Sequence, residues 1–142
     1  FEDVSLFAAC LLLRHALSGI ADEERYDPVV TARALSFLVN QRVLVGNWSG
    51  NFEGGHSPNE WTGSVKILED FLKNGLEAVK FGQCWVFAGV LNTLLRAVGI
   101  PSRCVTNITS AHDTDHTLTI DEIYVKDPLT DQFKEEQSND MV

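Results

Sequence analysis

Gly82-Gln83-Cys84-Trp85 stands at the head of a long apolar helical pattern. Phe87, Val90 with Leu91, Leu94 with Leu95, and Val98 recur at the spacing of a helix buried along one wide stripe. Gly99 and Pro101 stop it. A helix apolar over so broad a face must be packed on several sides, so it fixes the centre of whatever fold forms. It also puts Cys84 in its first turn, directly behind a glycine turn. Unpaired amide N–H groups and the helix dipole favour an anion there, and the thiolate is the reactive form of cysteine. Position alone does not separate such a nucleophile from a structural cysteine packed in a core.

Around this helix the pattern runs helices first and strands later. Phe1 to Leu17 carries Val4, Phe7, Cys10 with Leu11, and Leu17 at helical spacing, and Gly19 closes it. Ala21 to Tyr26 reads as an acidic, solvated loop. Asp27-Pro28 reads as an N-cap and first helical position, with Val30, Ala34, Phe37 and Leu38 on one face of the helix that follows. Asn40 to Trp61 is rich in turn residues, and Ser57-Pro58-Asn59-Glu60 has capping-box spacing, but Gly63 follows too soon for a long helix. Ser64 to Asn74 predicts a helix with Val65, Leu68, Phe71 and Leu72 inward. After Pro101 the period moves towards two, so Arg103 to Ile108 and Leu118 to Val125 read as strands. Asp127 to Asp131 reads as a turn, with a further strand starting beyond it. This is an α+β layout in one domain spanning residues 1–142, with no repeat, linker or low-complexity tract.

Eleven basic against twenty acidic residues leave a charge of -9, which argues against nucleic-acid binding. No apolar stretch is long enough to predict a transmembrane helix. The chain opens on Phe1 and its single methionine is Met141, so an internal piece of a longer protein is expected and localisation is not readable. Cys10, Cys84 and Cys104 are odd in number and sit in three settings, which is not a disulfide framework and favours a reducing compartment. Asn47-Trp48-Ser49 and Asn107-Ile108-Thr109 fit the glycosylation pattern, a three-residue match of little weight.

A nucleophilic thiolate needs a general base and a group to orient it. The histidines are His15, His56, His112 and His116. His112-Asp113 is the tempting pair, but neighbours on a strand point to opposite faces, so Asp113 could not readily orient His112. His15 and His56 have no carboxylate at an obvious supporting spacing. Downstream, Asp113, Asp115, Thr117 and Thr119 fall at every second position, a spacing that can curl oxygen ligands round a hard cation. The EF-hand pattern fails, since Leu118 takes the glycine position and Tyr124 the glutamate position. Spacing alone favours an exposed polar loop.

Taken together, these segments resemble the catalytic core of the calcium-dependent animal transglutaminases. Gly82-Gln83-Cys84-Trp85-Val86-Phe87-Ala88 resembles their active-site run. Phe1-Glu2-Asp3, Val45 to Gly50, Ser57 to Val65, Leu95 to Arg103, and Val105-Thr106-Asn107 through Ser110-Ala111-His112-Asp113 resemble further segments, all in one colinear register. The resemblance implies a papain-like, cysteine-proteinase-like α+β core, incomplete here. It implies that Cys84 attacks the side-chain amide of a protein glutamine to form a thioester, which a lysine amine of a second protein resolves to an isopeptide crosslink. Water in place of the amine gives deamidation. Trp48 matches the family's indole donor to the oxyanion, with the Cys84 N–H as the second donor, whereas Trp61 and Trp85 are expected to pack.

The family's histidine lies in a Trp-Asn-Phe-His run, and Asn139-Asp140-Met141-Val142 resembles the residues just before it. The 142 residues alone are therefore expected to be inactive. By the same resemblance Asp113, Asp115, Thr117, Thr119 and Asp140 become calcium ligands, with Thr117 in place of the usual asparagine. Asn40-Gln41-Arg42-Val43 stands where the family commonly has an Asn/Asp-rich calcium loop, so that second site is expected to be absent. Two alternatives stay open: a papain-like cysteine hydrolase, and a structural transglutaminase homologue that binds partners without catalysis.

Overall fold

Proline at the first helical position is already set for α geometry, and Asp27 Oδ1 accepts from the Val29 N–H at 2.8 Å to cap the same helix. In the computed structural model, which describes residues 3–25, 27–108, 110, 117–119 and 123–136, this is helix α3, Pro28–Leu38. Before it come α1, Asp3–Ala16, and a short α2, Asp22–Arg25, where the sequence predicts a loop. After it come α4, Ser64–Lys73, and α5, Cys84–Ala97. The stop signal at Gly99 works as expected: with φ at +86°, it lets Ile100 N–H reach Leu95 O at 2.9 Å and Gly99 N–H reach Arg96 O at 3.1 Å, closing the end of α5.

The core lies where α5 meets α1, α3 and α4. Val86, Val90 and Leu94 form the buried line of α5, and half-buried Phe87, Leu91, Leu95 and Val98 pack against the same core, so the predicted stripe holds and Val86 adds to it. On α1 the inward residues are Ser5, Ala8, Ala9 and Leu12, while Phe7 is 60% exposed and Cys10 also faces out. Apolar residues occupy most of the circumference of α1, so periodicity alone does not choose a face; the small ones go inward because they allow close helix packing. On α3 Leu35 and Leu38 are buried and Phe37 is 64% exposed, again a correction of face. Helix α4 buries Ile67, Leu68 and Phe71, where Ile67 takes the place expected for Val65.

Two short strands were hidden in turn-rich sequence. A π-helical turn, Val39–Val43, feeds β1, Leu44–Gly46, and β2, Val79–Gly82, runs parallel to it. A parallel pair needs a crossover, and α4 lies within it. Pro58–Glu60 is one 3₁₀ turn, and Ser57 makes no side-chain cap there.

The chain divides into two compact units, Phe1–Cys104 and Val105–Val142. All of the buried core belongs to the first. In the second, β3, Ile123–Lys126, pairs antiparallel with β4, Phe133–Glu136, across the expected turn, so the further strand is there. The strand expected over Arg103 to Ile108 is not: its residues lie outside any ladder, and Cys104 is exposed. Leu118 has a φ of +64° and is also outside a strand. No described helix is long and apolar enough to cross a membrane.

Candidate active site

Strands β1 and β2 bring two distant stretches to one edge. Gly46 is the register partner of Gly82, across a bulge after Val45. The chain continues from each glycine by two residues, to Trp48 on one side and Cys84 on the other. Both glycines are required by close approach: a Cβ on Gly46 would collide with the Trp48 ring, and one on Gly82 with the buried Leu44 side chain. The two exits are tied together. Asn47 N–H donates to Gly82 O at 3.1 Å, and Gln83 Nε2 donates to Asn47 O at 2.9 Å.

Gln83 is also the N-cap of α5, its carbonyl accepting from Val86 N–H at 2.8 Å and Phe87 N–H at 3.1 Å. That leaves Cys84 as the first helical residue, exposed and unpaired with any other cysteine. Neither its thiol nor its backbone N–H has a hydrogen-bond partner among the described residues, so the N–H is available as a donor.

The Trp48 ring is stacked on Phe87, centroids 6.4 Å apart and planes 6° from parallel. Phe87 lies one turn after Cys84 on α5, so the stack holds the indole over the N-terminal end of that helix. Trp48 remains 66% exposed, and its N–H has no acceptor among the described residues. The Asn47 side chain stiffens the loop: Oδ1 accepts from Ser49 N–H at 2.9 Å and Ser49 Oγ at 2.8 Å, and Nδ2 donates to Asn51 O at 2.8 Å. Both ends of this amide are used internally, which weighs against Asn47 as a sugar acceptor. Trp61 packs as expected, its indole N–H held by Phe81 O at 2.8 Å, but Trp85 is 50% exposed.

Gln83, Asn47 and Phe87 are the positioning residues that sequence reasoning passed over. The Asn-x-Ser spacing signalled a local side-chain-to-backbone turn as much as a glycosylation pattern.

The described histidines are otherwise engaged. His15 Nε2 lies 3.1 Å from Arg42 Nη2, and His56 Nδ1 lies 3.4 Å from Glu60 Oε2 with its ring against Trp61. His112 and His116 lie outside the described residues, as do Asp113, Asp115 and Asp140. Of the candidate metal ligands, Thr117 and Thr119 are described, their hydroxyls 2.7 Å apart and exposed. Among the described residues no cluster of three or more His, Cys, Asp or Glu could hold a metal.

Residues 31–136 match the transglutaminase-like superfamily. The chain is 50% identical over 120 residues to human protein-glutamine gamma-glutamyltransferase E, covering 82% of this chain and 17% of that one. It is 54% identical over 133 residues to the rat protein of the same name, covering 87% and 19%. It is 50% identical over 126 residues to the hemocyte protein-glutamine gamma-glutamyltransferase of Tachypleus tridentatus, covering 86% and 16%. The crystal structure of red sea bream transglutaminase superposes with a TM-score of 0.70 at 38% identity, over 79% of this chain and 19% of that one. The chain thus spans under a fifth of the length of these curated relatives.

Proposed function

The chain belongs to the transglutaminase-like superfamily, with its papain-like α+β core, and we propose that it is part of the catalytic core of a protein-glutamine γ-glutamyltransferase. The observation that carries this reading is the pairing of Gly46 with Gly82, which sets Trp48 and Cys84 at equivalent exits, with the indole stacked above the helix that begins at the thiol.

In the proposed reaction the Cys84 thiolate adds to the amide carbon of a glutamine side chain. The carbonyl oxygen takes the negative charge, and the Cys84 backbone N–H and Trp48 indole N–H are the donors that receive it. Collapse expels ammonia, protonated by a general acid, and leaves a thioester on Cys84. The ε-amine of a protein lysine then attacks the thioester, giving the isopeptide and returning the thiol. Water in the same role gives glutamate. The acid and base function falls to a histidine in a Trp-Asn-Phe-His run, which this sequence does not contain. The 142 residues by themselves are therefore proposed to accept an electrophile at Cys84 but not to turn over.

Calcium is the cofactor we propose, on Asp113, Asp115, Thr117, Thr119 and Asp140. Carboxylates and hydroxyls alone make an all-oxygen set, which suits this hard cation, and the adjacent Thr117 and Thr119 hydroxyls are compatible with it. Bound there, the ion would link residues distant in sequence.

The test uses a chain extended through the histidine run, a peptide bearing an electrophile in place of the glutamine amide, and an ammonia-release assay with a primary amine. Stoichiometric labelling at Cys84 with amine-dependent ammonia release is expected. Peptide-bond cleavage without ammonia release would assign a hydrolase instead, and absence of labelling would assign a non-catalytic homologue.

A further inference from the structure

Away from Cys84, an apolar cavity of about 400 Å³ opens between α1, the ends of α3 and α4, and the π-helical turn. Its floor is buried Leu12, Leu38 and Phe71, and its mouth carries Arg14, His15 and Arg42. A second cavity, of about 440 Å³, shares His15, Leu38 and Arg42 and adds Arg33. No carboxylate lines either one, in a chain with twenty acidic residues against eleven basic. Neither Arg14 nor Arg42 has a carboxylate partner among the described residues. At the mouth Arg42 Nη2 lies 3.1 Å from His15 Nε2, and Ser18 Oγ donates to His15 O at 3.3 Å. A guanidinium can only donate, so in this contact His15 Nε2 is the accepting atom. That bond fixes the direction of Arg42 without neutralising it.

One guanidinium set against the His15 ring, with that of Arg14 at the same mouth, above an aliphatic and aromatic floor, complements a molecule with one apolar and one anionic end. We propose that this cavity binds an amphipathic anion: an apolar chain or ring seated on Leu12, Leu38 and Phe71, with a single carboxylate or phosphate head held by Arg14 and Arg42. The inference is independent of the reaction at Cys84.

Decanoate and decyl phosphate are titrated into the 142-residue chain by calorimetry, beside decanol, which lacks the charge, and acetate, which lacks the tail. Saturable binding of one or both amphipathic anions is expected, and which of them binds identifies the head. Decanol and acetate should bind about tenfold more weakly or worse, the loss expected when a charge-assisted contact or the apolar contact is removed. The double variant Arg14→Gln, Arg42→Gln should weaken decanoate by about tenfold or more, with an unchanged circular dichroism spectrum because both side chains are exposed. Decanol binding as well as decanoate, a double variant that binds like the parent, or no saturable binding by either anion would each overturn the proposal.

Discussion

At the scale of single residues, the candidate site depends on two glycines and two rings. Trp48→Phe keeps a flat ring for the stack on Phe87 but removes the indole N–H. In the extended chain it is expected to lower kcat by about 10²–10³ while thiol labelling persists, because the proposed oxyanion donor is lost. Steady-state amine incorporation checks this, and a fall smaller than about threefold would remove Trp48 from the oxyanion role. Gly82→Ala acts differently. Its Cβ meets the Leu44 side chain, which is 2% exposed and has little room to move. A loss of roughly 1–3 kcal/mol in urea unfolding is expected, with slower labelling of Cys84 as the exits of β1 and β2 shift apart. Cys84 and Trp48 could be proposed from sequence because motif residues carry their own identity. Gln83, Asn47 and Phe87 could not, because their roles exist only once β1 and β2 are paired.

At the scale of elements, long periodic segments were readable and the faces of α1 and α3 were not. Helices α1, α3, α4 and α5 stand close to where spacing put them, yet Phe7 and Phe37 face outward. A helix with apolar residues on most sides has no unique moment, and packing of small against large side chains decides the rotation. Phe71→Ala is therefore expected to cost about 3–5 kcal/mol, since its ring is buried between helices. Phe37→Ala should stay within about 0.5 kcal/mol. Equal losses in urea unfolding of the two variants would mean that the face of α3 is misassigned. Strands β1 and β2 escaped notice because three and four residues in glycine-rich sequence give no usable alternation. The β3–β4 hairpin offers a test by pH. Lys134 donates to Asp127 Oδ2 at 2.7 Å and Leu129 N–H to Oδ1 at 2.9 Å, and these bonds, the first above all, hold the Asp127 carboxyl below its ordinary value of 3.8. A carboxyl lowered on folding stabilises the folded form above that ordinary value, and the contribution fades as pH falls through the lower one. An NMR titration of Asp127 should show the lowered midpoint, and Lys134→Met should move it back up.

At the scale of the whole chain, the two units differ in what they can support alone. Every residue of the buried cluster, from Ala8 to Leu94, lies in the first unit, as do both strand exits and the Trp48–Phe87 stack. In the second, no described residue is buried, and the regular structure among its described residues is one two-stranded hairpin. A lone hairpin is marginal in water, whereas four helices sharing an apolar centre bury enough surface to fold. Residues 1–104 expressed alone should therefore keep a cooperative unfolding transition and a helical circular dichroism spectrum. They should also keep the labelling rate of Cys84 within about threefold of the 142-residue chain, because every positioning contact made by Asn47, Gln83 and Phe87 is internal to that unit. A shorter chain that unfolds without cooperativity, or whose Cys84 labels at the rate of a free thiol, would show that residues 105–142 help to build the thiol's surroundings.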